Sequence, residues 1–201
     1  MKARPYHHGD LRSALLTLAE DTLRARGPAE LSLRELAREV GVSPAAPSRH
    51  FKTKQALLDA LAMEGFHRLT LAMGRSLDEA GETFAQRLTA LARSYLGFAA
   101  ANGALLDLMY GRKHDPDAST ELIAAMHRLK DLATDLIADG QRRGEVRAGH
   151  LDLLTLPLFV ALQGLTSLAL SGGFPADQIE AGVDETIAFI LRGYAPDVRS
   201  P

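Results

Sequence analysis

A cluster of basic side chains in the N-terminal quarter of the chain offers the most readily named chemistry. Its members lie within six residues of one another: Arg49, His50, Lys52 and Lys54. Cationic groups at this density can neutralise the phosphates of a nucleic acid. A solvated surface is the ordinary fate of such a cluster, and on composition alone the two interpretations compete equally. The elements that hold these side chains must therefore decide between them.

The residues before the cluster have the spacing of a helix-turn-helix. Ala37 stands four positions before Gly41, and Leu36, Val40 and Val42 supply apolar positions around them. A small residue such as Ala37 lets a second helix approach closely, and Gly41 can take the positive φ that a tight turn requires. The pattern predicts a helix that ends at Gly41 and is followed at once by a second helix.

That second helix is expected to begin at Ser43, which can cap it, with Pro44 in its first position. It would present Ser48 and the basic residues outward and turn Phe51 inward. Pro47 falls in its body, where the missing N–H and the crowding ring predict a distorted helix or a 3₁₀ turn. A short helix with small and basic residues is what a DNA major groove accepts.

The segment resembles the TetR/AcrR-type transcriptional regulators, whose DNA-binding domain ends in a Tyr-x-His-Phe signature with a downstream Lys. The matching residues here are Ser48, Arg49, His50, Phe51 and Lys54. Ser48 replaces the usual tyrosine, which in that family contacts a phosphate. The stretches YHHGDLRSALLTLAEDTLRARG and LSLRELAREVGVS are also similar to the family, so the resemblance covers roughly residues 6–66.

The resemblance implies an all-α protein with a three-helix DNA-binding domain over residues 1–54 and a helical ligand-binding and dimerisation domain over 55–201. About nine helices are expected in total. The residues expected at the DNA are Ser32, Ser43, Ala45, Ala46, Ser48, Arg49, His50, Lys52 and Lys54. The arm residues Arg4, Tyr6 and His7 either reach DNA or belong to a disordered tail.

Local signals along the chain support helices throughout. Ala and Leu dominate the composition, which favours helix. The expected N-caps are Asp10, Ser32, Thr53 and Ser119, with Glu35 completing a capping box at Ser32. The stretch GRKHDPDAS after Tyr110 is rich in turn-forming residues and is expected to be a loop.

The charge distribution separates the two predicted domains. The formal net charge is only −2, which by itself argues against binding to nucleic acid. Residues 1–54, however, carry ten Lys and Arg against six Asp and Glu, whereas the remainder carries thirteen against nineteen. A basic N-terminal domain on an acidic body is the asymmetry expected when one end meets phosphate.

The C-terminal part contains apolar residues that could line a ligand cavity, although for any one of them a place in the core is the more common role. The expected ligand-binding residues are Phe98, Leu105, Met109, Met126, His127, Phe159 and Gln163. Further polar groups that could orient a ligand are Arg93, Asp107 and Thr166. Such a lining favours a small, mostly apolar effector over a sugar or nucleotide.

The stretch from Leu151 to Leu170 is apolar on nearly every side, which a small domain can hardly bury alone. Its Pro157 and polar interruptions argue against a membrane span. The family resemblance implies a homodimer through the last two helices and a near-palindromic DNA operator. In the implied mechanism the chain is a one-component regulator, most often a repressor, and an effector changes the separation of the two DNA-binding domains.

Other classes of function find less support in the sequence. Cysteine is absent, which fits a reducing cytoplasm, and we expect a cytoplasmic protein. The seven histidines lack metal-ligand spacing, and no nucleophile elbow or phosphate loop occurs, so we expect no metal, no cofactor and no enzymatic activity. The alternative is a helical ligand-binding or scaffolding protein whose degenerate head, marked by Pro47 and Ser48, binds no specific DNA site.

Overall fold

The computed structural model describes residues 11–173 and 175–196, which are helical apart from turns and connections. The eight α-helices of these residues are α1 (Leu11–Arg26), α2 (Leu33–Val40), α3 (Lys54–Asp78), α4 (Phe84–Ala101), α5 (Gly103–Lys113), α6 (Thr120–Arg142), α7 (Leu151–Leu170) and α8 (Ala176–Tyr194). Two 3₁₀ turns, Pro28–Glu30 and Pro47–Arg49, follow α1 and α2. The expected N-cap Asp10 and the arm residues Arg4, Tyr6 and His7 lie outside the described residues.

Side-chain caps fix several of the helix starts. The backbone N–H of Ala56 donates to Thr53 Oγ1 at 3.1 Å, and that of Leu122 donates to Ser119 Oγ at 3.2 Å, so both predicted caps are confirmed. The predicted capping box at Ser32 is wrong. Ser32 has the extended backbone of an N-cap residue, but its side chain makes no capping hydrogen bond.

The chain divides into two compact units, and α3 and α6 contribute residues to both. The first unit consists of the described part of Met1–Phe66 together with Ala104–Met126, and the second of His67–Gly103 and the described part of His127–Pro201. The first unit therefore combines α1, α2, the start of α3, α5 and the start of α6. Its buried core includes Leu15, Leu23, Leu36, Leu57, Leu61, Phe66 and Met109.

A buried ion pair joins α3 to α5 inside the first unit. Arg112 Nε donates to Asp59 Oδ1 at 2.7 Å, and both side chains are nearly inaccessible to solvent. Asp115 pairs with the same guanidinium, and Asp59 Oδ2 also accepts the backbone N–H of Ser119 at 3.0 Å. The expected loop after Tyr110 therefore begins later than predicted, because α5 continues through Arg112 to Lys113.

In the second unit α7 and α8 pack against each other and against α4. The hydroxyl of Tyr194 donates to the carbonyl of Leu154 at 2.6 Å, and its ring meets Phe84 edge to face. Burial raises the pKa of Tyr194 to about 12, although the nearby Arg147 acts in the opposite direction. By length and composition alone α7 is apolar enough to cross a membrane, yet in this unit one of its sides packs against other helices.

Candidate nucleic-acid interface

The turn after α2 has the geometry that the sequence predicts. Gly41 adopts φ 79° and ψ 29°, the left-handed conformation that glycine tolerates best. The N–H of Val42 donates to the carbonyl of Ala37 at 2.9 Å, and this hydrogen bond closes the end of the helix. The methyl group of Ala37 is fully buried. The positive φ predicted for Gly41 is confirmed, whereas the second helix that Ala37 was expected to admit is not formed.

The element that follows is shorter than a regular recognition helix. Ser43 caps no helix, and the N–H of Ala46 donates to the carbonyl of Ser43 at 2.9 Å in a turn. Only Pro47–Arg49 forms a 3₁₀ turn, which is closed by the N–H groups of His50 and Phe51 at 2.9 and 2.8 Å from the carbonyl of Pro47. Proline has no N–H for the carbonyl of Ser43, so a regular helix cannot run through this position.

The expected ninth helix is therefore this single turn. The prediction of a helix starting at Ser43 is wrong, whereas the predicted distortion at Pro47 is confirmed.

We define residues 43–54 as the basic segment. Its exposed residues include Ser48, Arg49 and His50, whereas Phe51 is 2% exposed and lies in the core, as predicted. The guanidinium of Arg12 on α1 lies 5.6 Å from the centre of the Phe51 ring. This contact and the burial of Phe51 fix the end of the 3₁₀ turn, so the exposed side chains project from a held backbone.

Small side chains in the basic segment stay close to its own backbone. Ser48 Oγ donates to the carbonyl of Ala45 at 2.7 Å, so in this conformation the hydroxyl stabilises the turn. Ala45 is exposed and Ala46 half-buried, and Lys52 is exposed just before α3. The surface around the 3₁₀ turn therefore consists of small residues flanked by cations.

Lys54 has a partner that sequence reasoning missed. Its ammonium donates to the carbonyl of Ala29 at 2.7 Å and ties the N-terminus of α3 to the first 3₁₀ turn. The two residues are 25 positions apart, so no local pattern could indicate this contact. Ser32, half-buried at the start of α2, follows the same 3₁₀ turn by two residues. Lys54 therefore positions the turn before α2, whatever further contact its ammonium makes.

The residues expected to bind a ligand are divided between the two units. Leu105, Met109 and Met126 belong to the first, whereas Phe98, His127, Phe159 and Gln163 belong to the second. Met109 is fully buried, and its sulfur would lie 2.5 Å from a Cβ added at Gly65, so it packs in the core. His127 and Gln163 are exposed, and Phe98, Met126 and Phe159 are half-buried.

A second surface is apolar and exposed. On α7 the side chains of Leu153, Leu156 and Val160 are 67%, 59% and 62% exposed, and Phe189 on α8 is 70% exposed. Leu168 and Leu170 add to the same class at 43% each. We refer to these six residues as the apolar face. Large apolar side chains exposed on two helices that pack together are candidates for an interaction site.

The geometry defines an all-α protein that joins a helix-turn-helix with an exposed basic segment to a further helical domain. Two family profiles cover most of the chain. One, described as "Bacterial regulatory proteins, tetR family", matches residues 15–61, and the other, "Tetracyclin repressor-like, C-terminal domain", matches residues 88–193. The chain therefore belongs to the TetR family of DNA-binding transcriptional regulators.

Individual proteins are similar to this chain in sequence, in fold or in both. A protein of unknown function from Rhodococcus sp. RHA1 is 44% identical, with a TM-score of 0.87 over 96% of this chain and 100% of that one. The regulator Rv1816 of Mycobacterium tuberculosis is 28% identical over 142 residues, which are 68% of this chain but only 60% of that protein. The chain thus spans less than two thirds of that relative.

A tetR-family regulator from Rhodococcus RHA1 shares the fold, with a TM-score of 0.71 at 21% identity over 92% of this chain and 97% of that one.

Proposed function

We propose that the chain is a one-component repressor that binds a near-palindromic operator as a homodimer and is released by a small molecule. The observation that carries the DNA-binding half of this proposal is the basic segment. Its exposed cations project from a turn fixed by the buried Phe51 and by the left-handed conformation of Gly41, which is the arrangement that presents side chains to a major groove. Family membership supports the same reading.

Within the basic segment we assign Arg49, His50 and Lys52 to the phosphates or base edges. The residues Ser43, Ala45, Ala46 and Ser48 form the small surface that lets the backbone approach the DNA. Because Ser48 is too short to replace a phosphate-contacting tyrosine and already bonds Ala45, the basic residues must supply most of the affinity. The N-termini of α2 and α3, at Ser32 and Lys54, add backbone N–H donors for phosphate.

The apolar face supports the homodimer. A leucine that is half-exposed in one chain becomes buried when the same face of a second copy covers it, and each such burial contributes about 1 kcal/mol or more. A twofold dimer carries two basic segments related by the same axis, which agrees with the expected near-palindromic operator. The proposed location is the cytoplasm, and the proposed activity is binding, with no catalysis.

The effector is proposed to be small and mostly apolar. Within the second unit, the half-buried Phe98 and Phe159 are the residues that could open onto such a ligand, and His127 and Gln163 are exposed polar groups of the same unit. Binding of ligand and of DNA must then be reciprocally coupled.

Fluorescence anisotropy with labelled duplex from the region flanking the gene tests the proposal. Titration in the presence of excess unrelated DNA is expected to show saturable binding with a strong dependence on salt. A screen of apolar compounds should then identify one that lowers the affinity for DNA.

One observation favours the second candidate, a helical binding protein without a specific DNA site: the recognition element is only a 3₁₀ turn. In that case the affinity for the flanking duplex would equal that for unrelated duplex, and the repressor proposal would fall.

A further inference from the structure

A cleft of about 580 Å³ opens within the first unit, beside the C-terminal end of α1. Its apolar walls come from three helices, with Leu23 on α1, Leu58 on α3 and Leu108 on α5, all of them buried. Pro28 of the first 3₁₀ turn adds to the rim. The volume is in the range of small-molecule sites, which is roughly 300–1,000 Å³. None of the residues assigned above to DNA contact lines this cleft.

The two arginines of the cleft already have carboxylate partners. Arg24 lies 3.4 Å from Glu20 and 3.2 Å from Asp21 along α1. Arg112 belongs to the buried ion pair between α3 and α5, and two carboxylates, those of Asp59 and Asp115, lie against its single positive charge. Neither guanidinium therefore offers an uncompensated positive charge to an anionic ligand.

The charge that remains in the lining is negative. Asp107 on α5 is exposed at the cleft and forms no ion pair with any residue that the structure describes. The last turn of α1 borders the same space, and the terminal carbonyl groups of a helix carry partial negative charge. An apolar wall next to an unmatched carboxylate complements a molecule that is apolar at one end and cationic at the other.

We propose that this cleft binds a small organic cation with an apolar body. The ammonium group of the ligand lies at the carboxylate of Asp107, and its apolar body lies against Leu23, Leu58 and Leu108. The class includes primary and substituted amines that carry an aryl or alkyl chain. Sugars and organic anions are disfavoured, since the walls would leave their polar groups unpaired and Asp107 would repel the anions.

A regulatory consequence rests on the proposed function. α1 packs against α2 and against both 3₁₀ turns, so an occupant between α1 and α5 contacts a helix that supports the basic segment. If the occupied and empty cleft favour different positions of α1, the ligand changes the affinity for DNA and DNA changes the affinity for the ligand by the same factor.

Calorimetry without DNA tests the site with three compounds of similar shape and different charge: phenylbutylamine, phenylbutanol and phenylbutyrate. We expect the amine to bind about fivefold more tightly than the alcohol, which is the size of a partly exposed ion pair. Phenylbutyrate is expected to bind weakest. The preference for the amine should shrink as salt is raised, because the carboxylate is exposed.

Two substitutions locate the binding. Asp107→Asn should abolish the preference of the amine over the alcohol, whereas the same change at exposed Asp131 on α6 should leave it unchanged. Gly111→Phe should block both compounds, because Gly111 lines the cleft and a Cβ there meets nothing within 4 Å. Gly97→Phe on α4 is the matched control, since a Cβ at Gly97 also meets nothing within 4 Å.

The proposal is overturned if no compound binds, if the alcohol binds as well as the amine, or if Asp107→Asn keeps the preference. Unchanged affinity in Gly111→Phe would also overturn it. Anisotropy with DNA is a separate arm. A protein that binds the amine as expected but binds no specific DNA refutes the proposed function and leaves the cleft assignment standing. A protein that represses through DNA but ignores the amine refutes the cleft alone.

Discussion

The basic segment and the apolar face are both exposed, but the free-energy cost of their exposure to water differs. Arg49, His50 and Lys52 are well hydrated without a partner, so their exposure costs the free chain little. When a partner covers Leu153 and Val160, their apolar surface leaves water and the free energy of the system falls. The exposure of the apolar face is therefore by itself evidence for a partner. For the basic segment the evidence lies in the fixed backbone from which its cations project.

The apolar face should be the more sensitive of the two to a single charge. Leu156→Asp would place a carboxylate in a dry interface between copies, which costs several kcal/mol, and the dimer dissociation constant should rise by a factor of about 100 or more. The monomer fold should survive, because Leu156 is exposed within one chain. Sedimentation velocity over a range of concentrations measures the effect, and circular dichroism checks the fold.

Ala124→Asp, which introduces the same charge at an exposed position of α6, is the control and should remain dimeric. If Leu156→Asp sediments like the unmodified protein, the apolar face is not the dimer interface.

In the basic segment, the loss of one cation should weaken DNA binding without abolishing it. Arg49→Ala removes one cation and should weaken DNA binding about tenfold, lowering the slope of log affinity against log salt by about one. Arg142→Ala removes another exposed arginine, on α6, and should change neither quantity by a comparable amount. Anisotropy titrations at several salt concentrations provide both numbers. If both variants had the same affinity for DNA and the same salt slope, Arg49 would not contact the DNA.

Lys54 separates a positioning role from a phosphate contact. Lys54→Ala loses the hydrogen bond to the Ala29 carbonyl and should lower the free energy of unfolding by about 1 kcal/mol. Lys54→Arg keeps a donor of similar reach and should recover much of that stability. Urea unfolding measures stability, and the salt slope of DNA binding reports any phosphate contact. A Lys54→Ala protein of unchanged stability would show that the bond to Ala29 contributes nothing.

The inner side of the α7–α8 pair offers an effect of similar size. Tyr194→Phe removes the hydrogen bond to the Leu154 carbonyl and should cost about 1 kcal/mol. Burial raises the pKa of Tyr194 to about 12, above its ordinary value near 10, so the folded state holds the phenol proton more tightly. The protonated phenol of Tyr194 therefore contributes fully to the free energy of unfolding below about pH 10, and this contribution is lost as the pH rises toward 12.

Unfolding of the unmodified protein and of Tyr194→Phe should therefore converge at alkaline pH. Parallel curves across that range would contradict the assignment.

Local signals in the sequence predicted the turn of the helix-turn-helix and the caps at Thr53 and Ser119, because each depends on neighbours within a few residues. The effect of Pro47 was predictable in kind, but how much of the helix survives depends on the core that fixes Phe51. Contacts across long sequence separations were not predictable. The Lys54–Ala29 and Arg112–Asp59 bonds span 25 and 53 residues, and only the packed fold brings them together.

The expected ligand set illustrates the same limit. Met109 was a candidate because it is apolar and adaptable, but the fold buries it against Gly65. The sequence offered Asp107 among the polar groups that could orient a ligand, but nothing in it set Asp107 apart from Arg93 or Thr166. Its interest comes from three helices that place it beside a cleft. Helical spacing cannot tell a cavity wall from a core, because both are apolar.

The mass of the protein–DNA complex tests the account most directly, because it engages both surfaces at once. Sedimentation equilibrium with a labelled operator duplex is predicted to give two protomers for each pair of half-sites. Footprinting on the same duplex should show twofold symmetry. Leu156→Asp should lower the affinity for this duplex far more than Ala124→Asp does. A saturated complex that holds a single protomer on the operator, with full affinity, would contradict the account.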